Sequence, residues 1–251
     1  MTKLIKTFFL KFKYTIYNYF EIEIDHLLSV YGVKLTPIWN DKTFKYTILG
    51  LYGDFYKQTL EGISEPFVFV DIGANQGLYS LIAAKNKNNL KLYLIEPQER
   101  MVSILKKNLK LNNIRNYEIL PVAISDTNAK VKLTNFKNHS GKSTLLNLNE
   151  TENISSHQVQ AINSEGLNGI FEMKSNFVVK IDVEGHEEVV IKELIKVKDF
   201  SKVYSIFYEV NIDWTNPKKI EQLLREVGYC YFKKIGKNNF HYDILASRIQ
   251  I

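Results

Sequence analysis

The sequence predicts an α/β protein built on a doubly wound, mostly parallel sheet of seven strands, with a C-terminal antiparallel hairpin and an N-terminal helical extension. Three observations predict it. Apolar runs such as Phe67-Val68-Phe69-Val70 and Phe177 to Ile181 read as strands buried on both faces, the pattern of a parallel sheet. These runs alternate with segments of helical periodicity, and a strand–helix–strand order closes into parallel neighbours. A glycine-bearing turn, Asp71 to Gly77, joins the first buried strand to the helix after it.

In chain order, residues 1–60 are expected to form a helical and irregular extension and 61–251 the main domain, with 127–165 as a β-rich insertion. Residues 1–30 read as helical and interleave Phe, Tyr and Ile with Lys. Such a face packs on the core, pairs with a second copy in a homo-oligomer, or rests on a membrane surface. Exposed aromatic stripes are costly, so packing or pairing is favoured, with peripheral membrane contact kept open. Gly50 and Gly53 interrupt any regular pattern over 38–60. Leu90 to Ile95 is the second strand. Pro97 then opens a helix lined by Met101, Ile104, Leu105 and Leu109, which Asn112-Asn113 ends. Tyr117 to Ala123 is the third strand. The insertion is polar and loop-rich, with strands at Val131 to Phe136 and Val159 to Ile162. His186 to Val197 is a helix and Val203 to Tyr208 a strand. Asn216-Pro217 gives a cap and an N1 proline to a helix reaching Val227. Tyr229 to Ile235 and Phe240 to Ser247 form the closing hairpin.

Composition sets bounds. Of 251 residues, 45% are apolar, enough for a sizeable core, and 24% charged, which argues against wholesale disorder. The net charge of +6 is dispersed along the chain. It favours solubility over attraction to an anionic partner. Nucleic acid is disfavoured, since no basic-aromatic stripe marks the main domain. The single cysteine, Cys230, forbids an internal disulfide and predicts a reducing, cytoplasmic compartment. It is expected to be buried on a late strand, which disfavours a cysteine nucleophile. No run approaches the ~18 apolar residues of a membrane span. Lys11 and Lys13 interrupt the patch Phe8-Phe9-Leu10, so a secretory leader is not expected.

The turn Val70-Asp71-Ile72-Gly73-Ala74-Asn75-Gln76-Gly77 lies where an open parallel sheet binds its ligand, at the carboxyl end of a strand. Gly73 and Gly77 remove side chains where the chain turns tightly and a ligand meets the backbone. The pattern lacks a glycine of the dinucleotide fingerprint, and Asp71 would repel a pyrophosphate there. Glu96 ends the second strand in Leu94-Ile95-Glu96-Pro97. An acid at that place accepts hydrogen bonds from ribose hydroxyls, although a helix N-terminus also favours it.

Four ordered blocks make a more specific pattern: the glycine turn, Ile95-Glu96-Pro97, Val122-Ala123-Ile124-Ser125-Asp126, and Lys180-Ile181-Asp182-Val183-Glu184-Gly185-His186-Glu187. With Asp243-Ile244-Leu245-Ala246 at the end, the chain resembles the FkbM-type methyltransferase family over about residues 45 to 248. The resemblance implies a class I methyltransferase (Rossmann-like) fold and S-adenosyl-L-methionine as methyl donor. It also implies a hydroxylated acceptor, a small molecule or a glycan. By resemblance, Asp71, Gly73, Ala74, Asn75 and Gly77 line the methionine end of the donor. Glu96 with Pro97 holds the ribose, and Ala123, Ile124, Ser125 and Asp126 border the adenine. Asp126 also suits a plain turn. The family carries a Ser/Gly-rich stretch near Asn138 to Leu145, which implies a part in the substrate pocket; a surface loop is the competing view.

An alcohol is a poor nucleophile, so a base or a metal must help remove its proton. Asp182 and Glu184 follow the fourth strand and Glu209 ends the fifth, so three acids converge on one rim. In one hypothesis Asp182, Glu184 and Glu209 hold a magnesium ion (Mg2+); in the other, His186 or one of the acids is a metal-free base. Helix capping is the bland alternative. It explains Glu187 and Glu188 well and Glu209 poorly, because Pro217 starts the next helix several residues later. Gly141-Lys142-Ser143-Thr144 imitates a P-loop, but Phe136 stands where its first glycine belongs. Three other functions compete with methyl transfer: a nicotinamide oxidoreductase, a cofactor-binding scaffold without turnover, and a nucleic-acid enzyme.

Overall fold

The computed structural model describes residues 3–149, 151–171 and 175–249. The chain opens with α1 (Lys3–Tyr19), a short ribbon of β1 (Leu27–Leu28) and β2 (Lys34–Leu35), then α2 (Lys42–Leu49) and α3 (Asp54–Gly62). The core alternation follows: β3 (Phe67–Ile72), α4 (Leu78–Ala83), β4 (Asn89–Ile95), α5 (Glu99–Leu111) and β5 (Tyr117–Leu120). β6 (Ala123–Ile124) leads into the insertion, which contributes β7 (Lys130–Phe136), β8 (His139–Thr144), β9 (Ile154–Ile162) and α6 (Ser164–Asn168). The chain then resumes with β10 (Asn176–Ile181), α7 (Glu187–Ile195), β11 (Val203–Asn211), α8 (Pro217–Glu226), β12 (Tyr231–Ile235) and β13 (His241–Ser247).

The seven-stranded sheet has the order β12-β13-β11-β10-β3-β4-β5. β13 runs against both its neighbours, and the other pairings are parallel. The α/β, mostly parallel, doubly wound fold with a closing hairpin is therefore present. From β3 the chain winds outward through β4 to β5, then returns to β10 on the other side of β3. The crevice between β3 and β10 is a topological switch point, the usual ligand position in such a sheet.

Alternation along β3 explains the two layers. Phe67 and Phe69 join Leu92, Leu94, Val178 and Phe207 in a core that also takes Tyr56, Leu81, Met101 and Leu105 from the helices. Val68, Val70 and Ile72 face the other way, toward Val190, Leu194, Ile220 and Leu224 of α7 and α8. Every residue of β3 is buried, as its unbroken apolar run requires. The segment before β3 is part of this packing: Tyr56 stacks on Phe207 at 4.0 Å between ring centroids. Asp41 caps α2 by accepting from Phe44 N, and Asn216 caps α8 by accepting from Lys219 N.

Four local expectations change. The helix expected over residues 1–30 ends at Tyr19, and Leu27–Leu28 pairs with Lys34–Leu35 as a short ribbon. The strand from Tyr117 stops at Leu120, because Pro121 cannot donate to a ladder; Ala123 and Ile124 pair with β9 instead. Residues 127–165 are more regular than a loop-rich insertion. Together with β6, just before them, they form a four-stranded sheet, β6-β9-β7-β8, over a small core of Ala123, Leu133, Val159 and Ala161. Polar alternation hid it, since one face is wet. Cys230 is exposed, because the alternation falls so that Tyr229 points inward. Its Sγ donates to Arg248 O at 3.1 Å and its backbone N to Ser247 O. Ser247 pairs with Ser205 near the start of β11, so the thiol sits at the edge opposite the switch point. No helix among the described residues is long and apolar enough to cross a membrane.

Candidate active site

A cavity opens over the carboxyl ends of β3, β4 and β10. Its floor is the turn after β3. Gly73 has φ +74, and a Cβ there would lie 1.9 Å from Asp182 O. The turn and the loop after β10 touch, so a residue with a side chain does not fit at 73. Gly73 N and Ala74 N both donate to Ile95 O, and Asp182 N donates to Ile72 O, which lashes the three strand ends together.

Lys180 stands at the centre of this floor, on the last turns of β10. Its Nζ donates to Gly73 O at 2.7 Å and lies 3.3 Å from Asp71 Oδ1 and 3.5 Å from Asp182 Oδ2. Burial alone lowers its pKa, but the carboxylates of Asp182 and Asp71 outweigh that and hold it above the ordinary lysine value. Asp71 also accepts from Ser80 Oγ at 2.7 Å. Gln76 lines the cavity with 2% exposure, and neither polar atom of its side chain has a hydrogen-bond partner among the described residues. A buried, unpartnered amide costs free energy until something binds it.

Glu96 closes the opposite side. It is buried, and its two oxygens accept from Asn75 N (2.8 Å) and Gln98 N (2.9 Å). Each oxygen therefore keeps one acceptor site. Burial pushes its pKa up to about 7, against the two backbone bonds and Lys180, which lower it. Val122, Ala123 and Ile124 form the wall beyond Pro97. From the insertion, Ser140, Gly141 and Ser143 of β8 complete the lining, so the P-loop look-alike is a strand in the cavity wall. Thr43 and Thr47 of α2 and Tyr52 roof it.

The rim is acidic. One oxygen each from Asp182, Glu184 and Glu209 lie within 4.8 Å of one another. Glu184 has φ +53, a left-handed conformation unusual outside glycine, and its carbonyl accepts from Thr144 Oγ1 at 2.6 Å. Burial, then the charges of Glu209 and Asp182, raise the Glu184 pKa to about 9. Burial and Asp182 raise Glu209 also, although His241 Nε2 sits 2.6 Å from its Oε1. Asp243 rises to about 7 through burial and the charges of Glu209 and Asp182. This concentration of like charge favours a cation or a proton. His186 lines the cavity with Nε2 3.2 Å from Ser125 Oγ, and burial lowers its pKa.

Of the residues singled out in the sequence, Gly73, Ala74, Asn75, Glu96, Pro97, Ala123, Ile124, Asp182 and His186 line this one cavity. Asp71 lies beneath it at 1% exposure and acts on Lys180 and Ser80. Gly77 lies behind the lining; a Cβ there would meet Leu105 Cδ1 at 2.4 Å, so it serves the packing of α5. Ser125 and Asp126 stand behind His186, with Ser125 Oγ 3.2 Å from Asp126 Oδ1. Glu184 and Glu209 belong to the rim rather than the lining. Glu187 accepts from Val183 N, Gly185 N and Thr215 Oγ1, so it braces the rim loop. Glu188 pairs at the surface with Lys192 and Lys219. Lys180, Gln76, Tyr52, Asp243 and the α2 threonines carried no individual signal. A lysine inside a buried strand was the one available clue, because a lone buried lysine demands carboxylate partners.

The sequence also matches known proteins. The model of the methyltransferase FkbM domain family matches residues 71–231. Methyltransferase sdnD of Sordaria araneosa is 36% identical over 84 residues, which cover 33% of this chain and 32% of that protein; the match thus spans about a third of that relative's length. Among solved structures, the METTL16 methyltransferase domain aligns with a TM-score of 0.53 at 12% identity, covering 88% of this chain and 75% of that one. This is a likeness of fold alone. M. capricolum TrmK in complex with S-adenosyl-homocysteine aligns at a TM-score of 0.48 and 13% identity, over 78% of this chain and 68% of that one. The family model covers well over half of the sequence, in the same segments that build the cavity, and the chain belongs to the FkbM methyltransferase domain family.

Proposed function

We propose that the chain is an S-adenosylmethionine-dependent methyltransferase that methylates a hydroxyl of a sugar, a glycan or a related small metabolite by in-line transfer. The observation that carries this reading is the meeting, in one cavity at the switch point, of a glycine turn, a buried Glu96 and an acidic rim. When bound, S-adenosylmethionine supplies a methyl group already activated by its sulfonium. The residues present fit it. Gly73, Ala74 and Asn75 offer a backbone cradle for its methionine end, steadied from below by Asp71 through Lys180. Glu96 has acceptor sites for two ribose hydroxyls, and the unpartnered amide of Gln76 has capacity for a polar group. Pro97, Ala123 and Ile124 suit the adenine, with Ser125 and Asp126 behind them.

Asp182, Glu184 and Glu209 have the chemistry of a hard-cation site, three carboxylate oxygens close together. A magnesium ion held there would lower the pKa of the acceptor hydroxyl. Without a metal, the base is His186, kept neutral by burial, or one of the rim acids. The single cysteine supports a reducing, cytoplasmic setting. A nicotinamide cofactor is disfavoured, because a pyrophosphate at the turn would lie between Asp71 beneath it and Asp182 in the loop after β10.

The test is transfer of labelled methyl from S-adenosylmethionine to a panel of sugars and small hydroxylated metabolites, with and without exhaustive chelation. Label should reach a hydroxyl, and Asp182→Asn should lower kcat by about 10²-fold or more. Full activity after chelation would remove the metal and leave the base. A folded protein that binds the donor yet never passes the label on would point to a scaffold.

A further inference from the structure

We infer that the outward face of α1 docks on an anionic lipid surface. The inward face is accounted for: Tyr14 is buried, and Leu10 and Tyr17 pack with it on the main core. Tyr14 reaches Trp39 and Phe44 at ring-centroid distances of 6.2 and 6.1 Å. The opposite face is apolar too. Phe8, Phe12 and Tyr19, spaced four and seven residues apart, return to one side of a helix with about 3.6 residues per turn. They are 69%, 64% and 79% exposed. Phe9 on the flank is exposed as well. Single exposed aromatics need no explanation, but several on one helix face mark an interaction surface.

Charge selects the occupant. Residues 1–20 hold four lysines and no acid. Lys11 and Lys13 fall on either side of the Phe8–Phe12–Tyr19 stripe, and both are exposed. Lysines flanking an aromatic stripe keep their heads in the headgroup layer while the rings enter the acyl boundary. The first acid, Glu21, lies past the helix end and accepts from Asn40 Nδ2. A basic rim around an apolar stripe complements anionic headgroups; against a second copy of itself it would set lysine against lysine. The inference is independent of the reaction in the cavity.

Sedimentation of the full chain with phosphatidylglycerol-rich and with pure phosphatidylcholine vesicles tests it. The chain should pellet with the first, much less with the second, and be released by high salt. Phe8→Ser with Phe12→Ser should lower partitioning by about tenfold or more, as should Lys11→Glu with Lys13→Glu by removing the electrostatic part. Both pairs are exposed, so thermal midpoint and donor binding should be unchanged. Wild-type protein that stays in the supernatant with phosphatidylglycerol overturns the proposal. So does unchanged partitioning of the double Phe variant, or a concentration-dependent dimer that this variant dissociates without any vesicle binding.

Discussion

Glu96 sits in a balance of burial against hydrogen bonding. Two backbone amides favour its charge, burial opposes it more strongly, and its pKa stands at about 7 against an ordinary 4.5. A raised carboxyl pKa contributes stability that is complete below the unfolded value and lost as pH rises through the folded one. In the absence of donor, wild-type protein should therefore lose stability between about pH 4.5 and about 7. Glu96→Gln should show a shallower decline over that window in thermal unfolding; equal slopes would contradict this. Ribose hydroxyls donate to the ionised form, so donor binding should tighten as pH rises through about 7. Glu96→Ala should weaken donor binding by roughly 10–100-fold, the loss of one or two charge-assisted bonds at about 1.5–3 kcal/mol. The place of Glu96 in the cavity lining was legible in the sequence, because an acid at a strand end before a proline falls at the ligand edge of such a sheet. Lys180 was not: besides Asp182 two residues on, its partners are Asp71 and Gly73, more than a hundred residues away in the chain and brought beside it only by the fold. Gln76 escaped for a related reason, since only the folded cavity leaves its amide without a partner.

Among the elements, α3 ties the N-terminal segment to the sheet. Tyr56 is fully buried between Phe69, Tyr79 and Phe207, and its hydroxyl has no hydrogen-bond partner among the described residues. Tyr56→Ala should cost about 3–5 kcal/mol in denaturant unfolding. Tyr56→Phe removes the unpartnered hydroxyl and should be neutral or stabilising. A destabilising Tyr56→Phe would show that the hydroxyl has a partner. The β-strands of the core were legible because two-sided burial makes each an unbroken apolar run. α2 and α3 were not, since Gly50 and Gly53 lie between two short helices and blur any period. The β6–β9 sheet was under-read for the same physical reason in reverse: with one face wet, β7 to β9 alternate with polar residues and resemble loops.

At the scale of the whole molecule, the site exists because the chain changes direction. Winding outward from β3 and returning to β10 leaves the two strand ends without a crossing helix between them, and the glycine turn and the acidic rim face each other there. The insertion and α2 then close the sides, through β8 and through Thr43 and Thr47. The rim gathers Asp182, Glu184, Glu209 and Asp243 against Lys180 and His241, and burial together with this excess of negative charge raises the Glu184 pKa to about 9. At pH 8 folding must therefore put a proton on Glu184 that the unfolded chain has lost, and a neutral side chain there removes that cost. Glu184→Gln should raise the thermal midpoint at pH 8 by roughly 2–4 °C or more, about 1 kcal/mol, while lowering activity. A lower midpoint would show that the rim charges are compensated in the free protein.

The central claim is that the turn after β3 and Glu96 together bind an adenosyl sulfonium donor. Isothermal titration calorimetry of the folded chain with S-adenosylmethionine, S-adenosylhomocysteine and NAD tests it most directly. The account predicts one molecule of either adenosyl ligand per chain, weakened by Glu96→Ala, and no heat from NAD. Well-folded protein that takes up neither adenosyl ligand would contradict it.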